Sequence, residues 1–295
     1  ARGLVDSAVQ DRVLGRVLWV NQALVLIPCR VVGAVSGVEG PENTRSGVQR
    51  TGHTEPPLRG SGHRVPTLAT DLRDRNVRHS LLDLNLLDTR QYRSDQPCGD
   101  LWGRACDELH RPDDTMLGRA QEHWLRARMA ASGATWQAVA QQVMVMDLDR
   151  QPGPGQTENL DSWAGYRNPR ARLLDTIRKH GKGSTVVLTG DEHQNYAGEL
   201  HMDGKQPGAE PIATEFVATS ITSGGDGVAE RVDTQAIAAE NPQLKWHNAQ
   251  RGFVMCDVTH DRWQTDFVVM DKVSSRDGQS RLAASFVVER GQPRL

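Results

Sequence analysis

No lysine precedes Lys179 and no phenylalanine precedes Phe216 in this 295-residue chain. Arginine therefore carries nearly all the positive charge, the mark of a GC-rich coding bias rather than of a nucleic-acid partner. Aromatic residues make up only 5%, and the hydrophobic fraction of 37% is low for a fully globular chain. A formal net charge of −2 creates no global field for nucleic acid or an anionic membrane. No apolar run approaches the ~20 residues of a membrane span. The nearest, from Val17 to Pro28, is interrupted by Asn21 and Gln22 and flanked by Arg16 and Arg30. It carries a faint signal-peptide pattern, and a short buried helix or strand is the reading adopted. The chain opens on Ala1 rather than methionine, as expected of a fragment or a processed product.

Other absences exclude chemistries. There is no GxSxG, so no nucleophile elbow for a serine hydrolase. The glycine-rich run from Thr219 to Gly227 lacks the spacing and the lysine of a phosphate loop; a substrate-facing role for Asp226 there rests on its loop position alone. The four cysteines provide one loose pair, Cys98 and Cys106, where a zinc ribbon needs two close pairs. In an exported protein that pair would be a local disulfide contributing about 2–3 kcal/mol; in a cytosolic one it would be two thiols.

The length suits one large domain or two ordinary ones. Residues 1–80 stand apart: they are dense in Gly, Pro, Ser, Thr and Arg, without periodicity, and are expected to be poorly ordered. His53 and His63 in this stretch read as solvated loop histidines. Eleven arginines against seven acidic residues make it basic, but no aromatic interleaving or motif supports a nucleic-acid-binding role.

Order begins at Leu81. Alternation through Leu82, Leu84 and Leu86 predicts a strand that delivers Asp88 and Arg90 at its end. A helix follows, with Thr115 as N-cap, an apolar face through Leu117, Trp124, Leu125 and Met129, and Gly133 as its stop. TWQAVAQQVMVMDL reads as a strand, ARLLDTIRKHG as a helix and STVVLTG as another strand. That order is the α/β grammar, in which ligands sit beyond strand C-termini. Beyond Phe216, strand-like runs suggest an antiparallel sheet that completes the domain. Asn248, Gln250 and Arg251 read as a polar turn.

Two groups fall at the strand ends. Asp191 and His193, two residues apart after an apolar strand, could hold a cation that activates water; an Asx turn beside an exposed histidine explains the spacing equally well. Glu192 points away from them in an extended chain. In the second group, Asp88, Arg90, Tyr92 and Arg93, Arg90 is a fitting fork for phosphate oxygens; the alternative is a structural Arg–Asp pair.

The strings LLDTRQYRSDQPCGD, TMLGRAQEHWL, DSWAGY, VVLTGDEHQNYAGEL, EFVATSITSGGDG and NAQRGFVMCDVTHDRWQTDFVVMDKV occur in one order over roughly residues 81 to 290. Together they resemble the alkaline phosphatase D (PhoD-like) family of metallophosphoesterases. The resemblance implies a secreted or cell-surface phosphatase or phosphodiesterase acting on phosphate esters with Ca²⁺ and Fe³⁺. It also implies a four-layer α/β/β/α sandwich, incomplete here at its N-terminal side. On its terms Asp191 and His193 are metal ligands, Arg90 binds substrate phosphate, and His193 and Arg90 act in catalysis. Tyr196 stands where tryptophan is common, and Ala164 where aspartate is. The family's earlier ligand motifs cannot be read in residues 1–80, where Cys29 has the wrong surroundings. Reduced metal occupancy is therefore expected. The alternative reading is a truncated, inactive remnant with at most weak metal or phosphate binding.

Overall fold

The computed structural model describes residues 80–99, 102–104, 106–202 and 209–295, together with the backbone of two strands at 14–20 and 23–29. Most of the 1–80 segment, including His53 and His63, lies outside the described residues. The two strands in it, β1 (Leu14–Val20) and β2 (Ala23–Cys29), pair antiparallel.

Twelve further strands follow among the described residues. β3 (Leu82–Leu86), β5 (Trp136–Gln141), β7 (Thr185–Thr189) and β9 (Ala213–Val217) run parallel. β8 (Asn195–Leu200) pairs antiparallel to β9, β11 (Leu244–Gln250) to β8, and the short β10 (Gly227–Val228) to β11. They make a seven-stranded mixed sheet in the order β10-β11-β8-β9-β7-β5-β3. The second sheet, in the order β1-β2-β12-β13-β14, contains β12 (Gly252–Val258), β13 (Arg262–Met270) and β14 (Ser280–Glu289). A small ribbon pairs β4 (Trp102–Gly103) with β6 (Glu158–Asn159).

Period-2 alternation sorts the side chains of the large sheet onto two faces. Ala138, Ala140, Val186, Leu188 and Phe216 face the second sheet, against Val254, Val258, Trp263, Phe267 and Val288. Val139, Val187 and Val217 face the other way, onto α1 (Gly118–Ala130) and α2 (Arg167–His180) through Leu125, Met129, Leu173, Leu174 and Ile177. The short α3 (Thr234–Glu240) packs Ile237 and Ala238 on this same side. The result is the expected α/β sandwich. Among the described residues its helices lie on one outer face only, which accords with incompleteness on the N-terminal side.

Several sequence expectations need correction. The strand expected across TWQAVAQQVMVMDL ends at Gln141, although Val143 to Met146 stay buried. Side chains replace the ladder there. Gln141 Oε1 accepts from Val143 N–H at 3.0 Å, and Glu215 accepts from Val145 and Met146. Arg170 Nε donates to the Val145 carbonyl at 2.6 Å. A buried backbone needs partners, and these polar side chains supply them. The turn expected at Asn248 to Arg251 is instead β11 running into Arg251, and β8 is also a strand. Helix α1 starts at Gly118, where Thr115 Oγ1 accepts the Gly118 N–H at 2.7 Å.

Candidate active site at the strand ends

Parallel strands β3, β5, β7 and β9 all end on the same rim, and each hands over to a loop there. After β3, Asp88 Oδ1 accepts the N–H groups of Arg90 (2.9 Å) and Gln91 (3.0 Å), an Asx-type turn that fixes the Arg90 backbone. Gln121 on α1 secures Asp88 from behind, accepting its N–H at 2.8 Å and donating to its carbonyl at 2.9 Å.

The chain is not extended after β7. Asp191 and His193 both adopt left-handed backbone, with φ of 69° and 53°. Non-glycine residues rarely accept that conformation, and it occurs here twice within three residues. The aim expected of an extended i, i+2 pair is thus replaced by a tight bend. The bend is pinned by Arg251, which donates to the His193 carbonyl, to Ser220 Oγ and to the Ser223 carbonyl. Arg251 therefore ties the β7 loop to the β9 loop and has a definite structural task.

Arg90 and Asp191 meet. Arg90 Nη2 lies 2.8 Å from Asp191 Oδ1, and its Nη1 lies 2.6 Å from Asp161 Oδ2. Arg93 also reaches Asp161, at 2.7 Å, and Gln96 donates to the same carboxylate. Asp161, after β6, was not singled out from the sequence. It lies in DSWAGY, 71 residues from Arg90, and only its aspartate beside a buried tryptophan hinted at a role. Burial raises the Asp191 carboxyl above the ordinary range; Arg90 opposes this, while Glu192 and Asp161 reinforce it. Glu192 does point elsewhere: it accepts from Arg150 at 2.6 Å and from Asn159 at 3.1 Å. Asp226 holds Val273, Ser274 N–H and Ser274 Oγ between 2.6 and 2.8 Å, a structural anchor for its loop. Cys98 and Cys106 are joined as a disulfide.

Residues 75–267 match the family described as PhoD-like phosphatase. The chain belongs to the PhoD-like phosphatase family. It is 38% identical over 216 residues to alkaline phosphatase D of Bacillus subtilis (strain 168), a stretch covering 73% of this chain and 37% of that protein. The solved "Structure of PhoD" superposes with a TM-score of 0.70 at 38% identity, over 72% of this chain and 41% of that one. The chain thus spans less than half the length of these PhoD-like relatives.

A PhoD-like centre calls for a cation, and Asp191 and His193 suit one in kind, a hard carboxylate oxygen beside an imidazole nitrogen. They do not suffice in number. Among the described residues, the one cluster of three His, Cys, Asp or Glu donors is Cys98, Cys106 and Glu108, where both sulfurs are tied up in the disulfide. No described helix is long and apolar enough to cross a membrane.

Proposed function

We propose that this chain carries the phosphate-handling side of a secreted, metal-dependent phosphoester hydrolase of the alkaline phosphatase D type. The observation that supports it is the meeting of Arg90 with Asp191 across 101 residues of sequence, at the C-terminal rim of a parallel sheet. Arg90 keeps about a third of its side chain exposed while two carboxylates hold its fork. A planar guanidinium fixed in this way presents donors to two phosphate oxygens and favours the charge that builds on them in the transition state. Asp191 and His193 are the proposed metal ligands from this chain, with Ca²⁺ and Fe³⁺ as the proposed ions. A cation held there would supply an activated water and neutralise phosphoryl charge.

The test is turnover of 4-nitrophenyl phosphate by the purified chain with Ca²⁺ and Fe³⁺, beside metal content by mass spectrometry. Arg90→Ala should cut turnover by about a hundredfold or more, in the range seen when an oxyanion donor is removed. Absence of turnover across a broad metal screen would sink the hydrolase reading.

The two-donor cation site favours a second reading, an inactive remnant with weak phosphate or metal binding. On that reading the chain retains little metal and hydrolyses nothing. Inorganic phosphate still binds weakly, and Arg90→Ala abolishes that binding.

A further inference from the structure

Behind the loop that carries Asp191 and His193 lies a cavity of about 320 Å³, a volume typical of small-molecule sites. None of Asp88, Arg90, Asp161, Asp191 and His193 lines it. Later residues of the same segment turn towards it instead. Gln194 and Tyr196 form its wall, and Glu192 holds the lining Arg150 guanidinium at 2.6 Å.

The chemistry of that wall is selective. Its charges are already matched: Arg150 with Glu192, and Arg231 with Asp233 at 3.3 Å. The Arg150–Glu192 pair is nearly buried, so a free ion at that end of the cavity would have to separate it, which is unfavourable. Its faces are aromatic. Trp102 stands 53% exposed at the rim, and the Tyr196 and His247 rings lie 4.7 Å apart, tilted by 36°. The Arg150 guanidinium lies 4.7 Å from the Trp102 ring centroid and 5.3 Å from that of Tyr196. Leu148, Ile237 and Leu244 supply aliphatic surface. Burial lowers His247 to about 4, so its imidazole is neutral near pH 7. Its two nitrogens are engaged by Thr234 Oγ1 at 3.0 Å and Gln194 Oε1 at 2.7 Å.

We infer that this cavity is a binding site for an uncharged, planar aromatic group with hydrogen-bonding edges, of nucleobase-like chemistry. The exposed Trp102 ring can stack on such a group, and the polar side chains of Thr157, Gln194 and Thr234 border its edges. The group has two natural sources: the organic part of a phosphate ester held at Arg90, or a separate effector. Only the first of these rests on the hydrolase reading.

Adenosine is the probe and ribose its non-aromatic control, measured by saturation-transfer NMR and isothermal titration on the full chain. Adenosine should bind with a Kd below about 1 mM and ribose should not bind. Ile237→Trp, on the partly buried helix α3, fills the cavity and should weaken adenosine about tenfold or more. Trp102→Ala removes an exposed stacking face, so the fold does not depend on it, and should weaken adenosine severalfold. Equal binding of ribose, or adenosine binding unchanged in both variants, overturns the inference. Turnover of 4-nitrophenyl phosphate without adenosine binding overturns the inference and leaves the hydrolase reading standing; binding without turnover does the reverse. Where both occur, competitive inhibition by adenosine assigns the cavity to the ester's own organic part, and mixed inhibition assigns it to an effector.

Discussion

The space between the two sheets and the rim above the strand ends are made of opposite materials. Between the sheets, Trp136, Trp263, Phe216 and Phe267 are essentially fully buried, and their rings meet edge to face, Trp136 with Trp263 at 5.9 Å and Phe216 with Phe267 at 6.0 Å. Around the rim the contacts are ionic. Arg90 bridges Asp161 and Asp191, Arg150 pairs with Glu192, and Arg167 pairs with both Asp147 and Glu158. Apolar burial gives net stability in proportion to area, while an ion pair largely repays its own desolvation. The inter-sheet layer therefore holds the molecule together, and the rim spends its matched charges on fixing geometry.

The sharpest way to break this contrast lies in the apolar layer. Phe267→Ala removes a ring packed against Phe216, Trp246 and Phe286, and should cost about 3–5 kcal/mol in urea unfolding. A loss below about 1 kcal/mol would mean that the sheets are held together by something else. Next comes Arg150→Met, which leaves the Glu192 carboxylate, only 3% exposed, to Asn159 alone. The expected cost is about 3 kcal/mol at pH 7, because the other charge stays buried. A negligible cost at pH 7 would show water reaching Glu192.

The smallest effect is a pH dependence. Burial, with the adjoining Asp147 carboxylate, raises Glu158 to about 7 despite its contact with Arg167. Burial also disfavours the Asp147 charge, but its hydrogen bond with Glu158 and the field of Arg170 and Arg167 outweigh this and hold it at about 2. Between those two values the pair shares one proton, which it loses as pH rises through 7. A raised carboxyl contributes stability that is complete below its unfolded value and is lost as pH rises through its folded value. Stability should therefore decline as pH climbs towards and through 7, and Glu158→Gln should flatten that decline. An unchanged pH profile in the variant would remove Glu158 from the account.

Where the material was apolar, the sequence was readable. β3, β7, β12 and β13 follow the alternation or the short apolar runs that mark strands. β8 and β11 escaped because the centre of a sheet buries both faces, and here it buries Asn195, Glu199, Asn248 and Gln250. Polar residues at those positions erase the period. They are affordable because they bond one another and the backbone, as Asn195 does with Asn248 and the Gln250 carbonyl. At the rim, Arg90 and Asp191 were visible because each follows a strand that periodicity could find. Asp161 follows β6, a strand of two residues, which has no period to read. The left-handed bend at Asp191 and His193 was equally hidden, since neither is a glycine.

The pairing of β2 with β12 sets Val25 beside Val254 and Cys29 beside Val258, so the beginning of the chain meets its last sixth. Contacts between such distant positions close a very large loop and form late. During synthesis the N-terminal hairpin must wait until β12 has left the ribosome, with one strand edge unoccupied meanwhile. Assembly of the five-stranded sheet is therefore a final event in the folding of this chain, and the hairpin's waiting edge is where misassociation would begin.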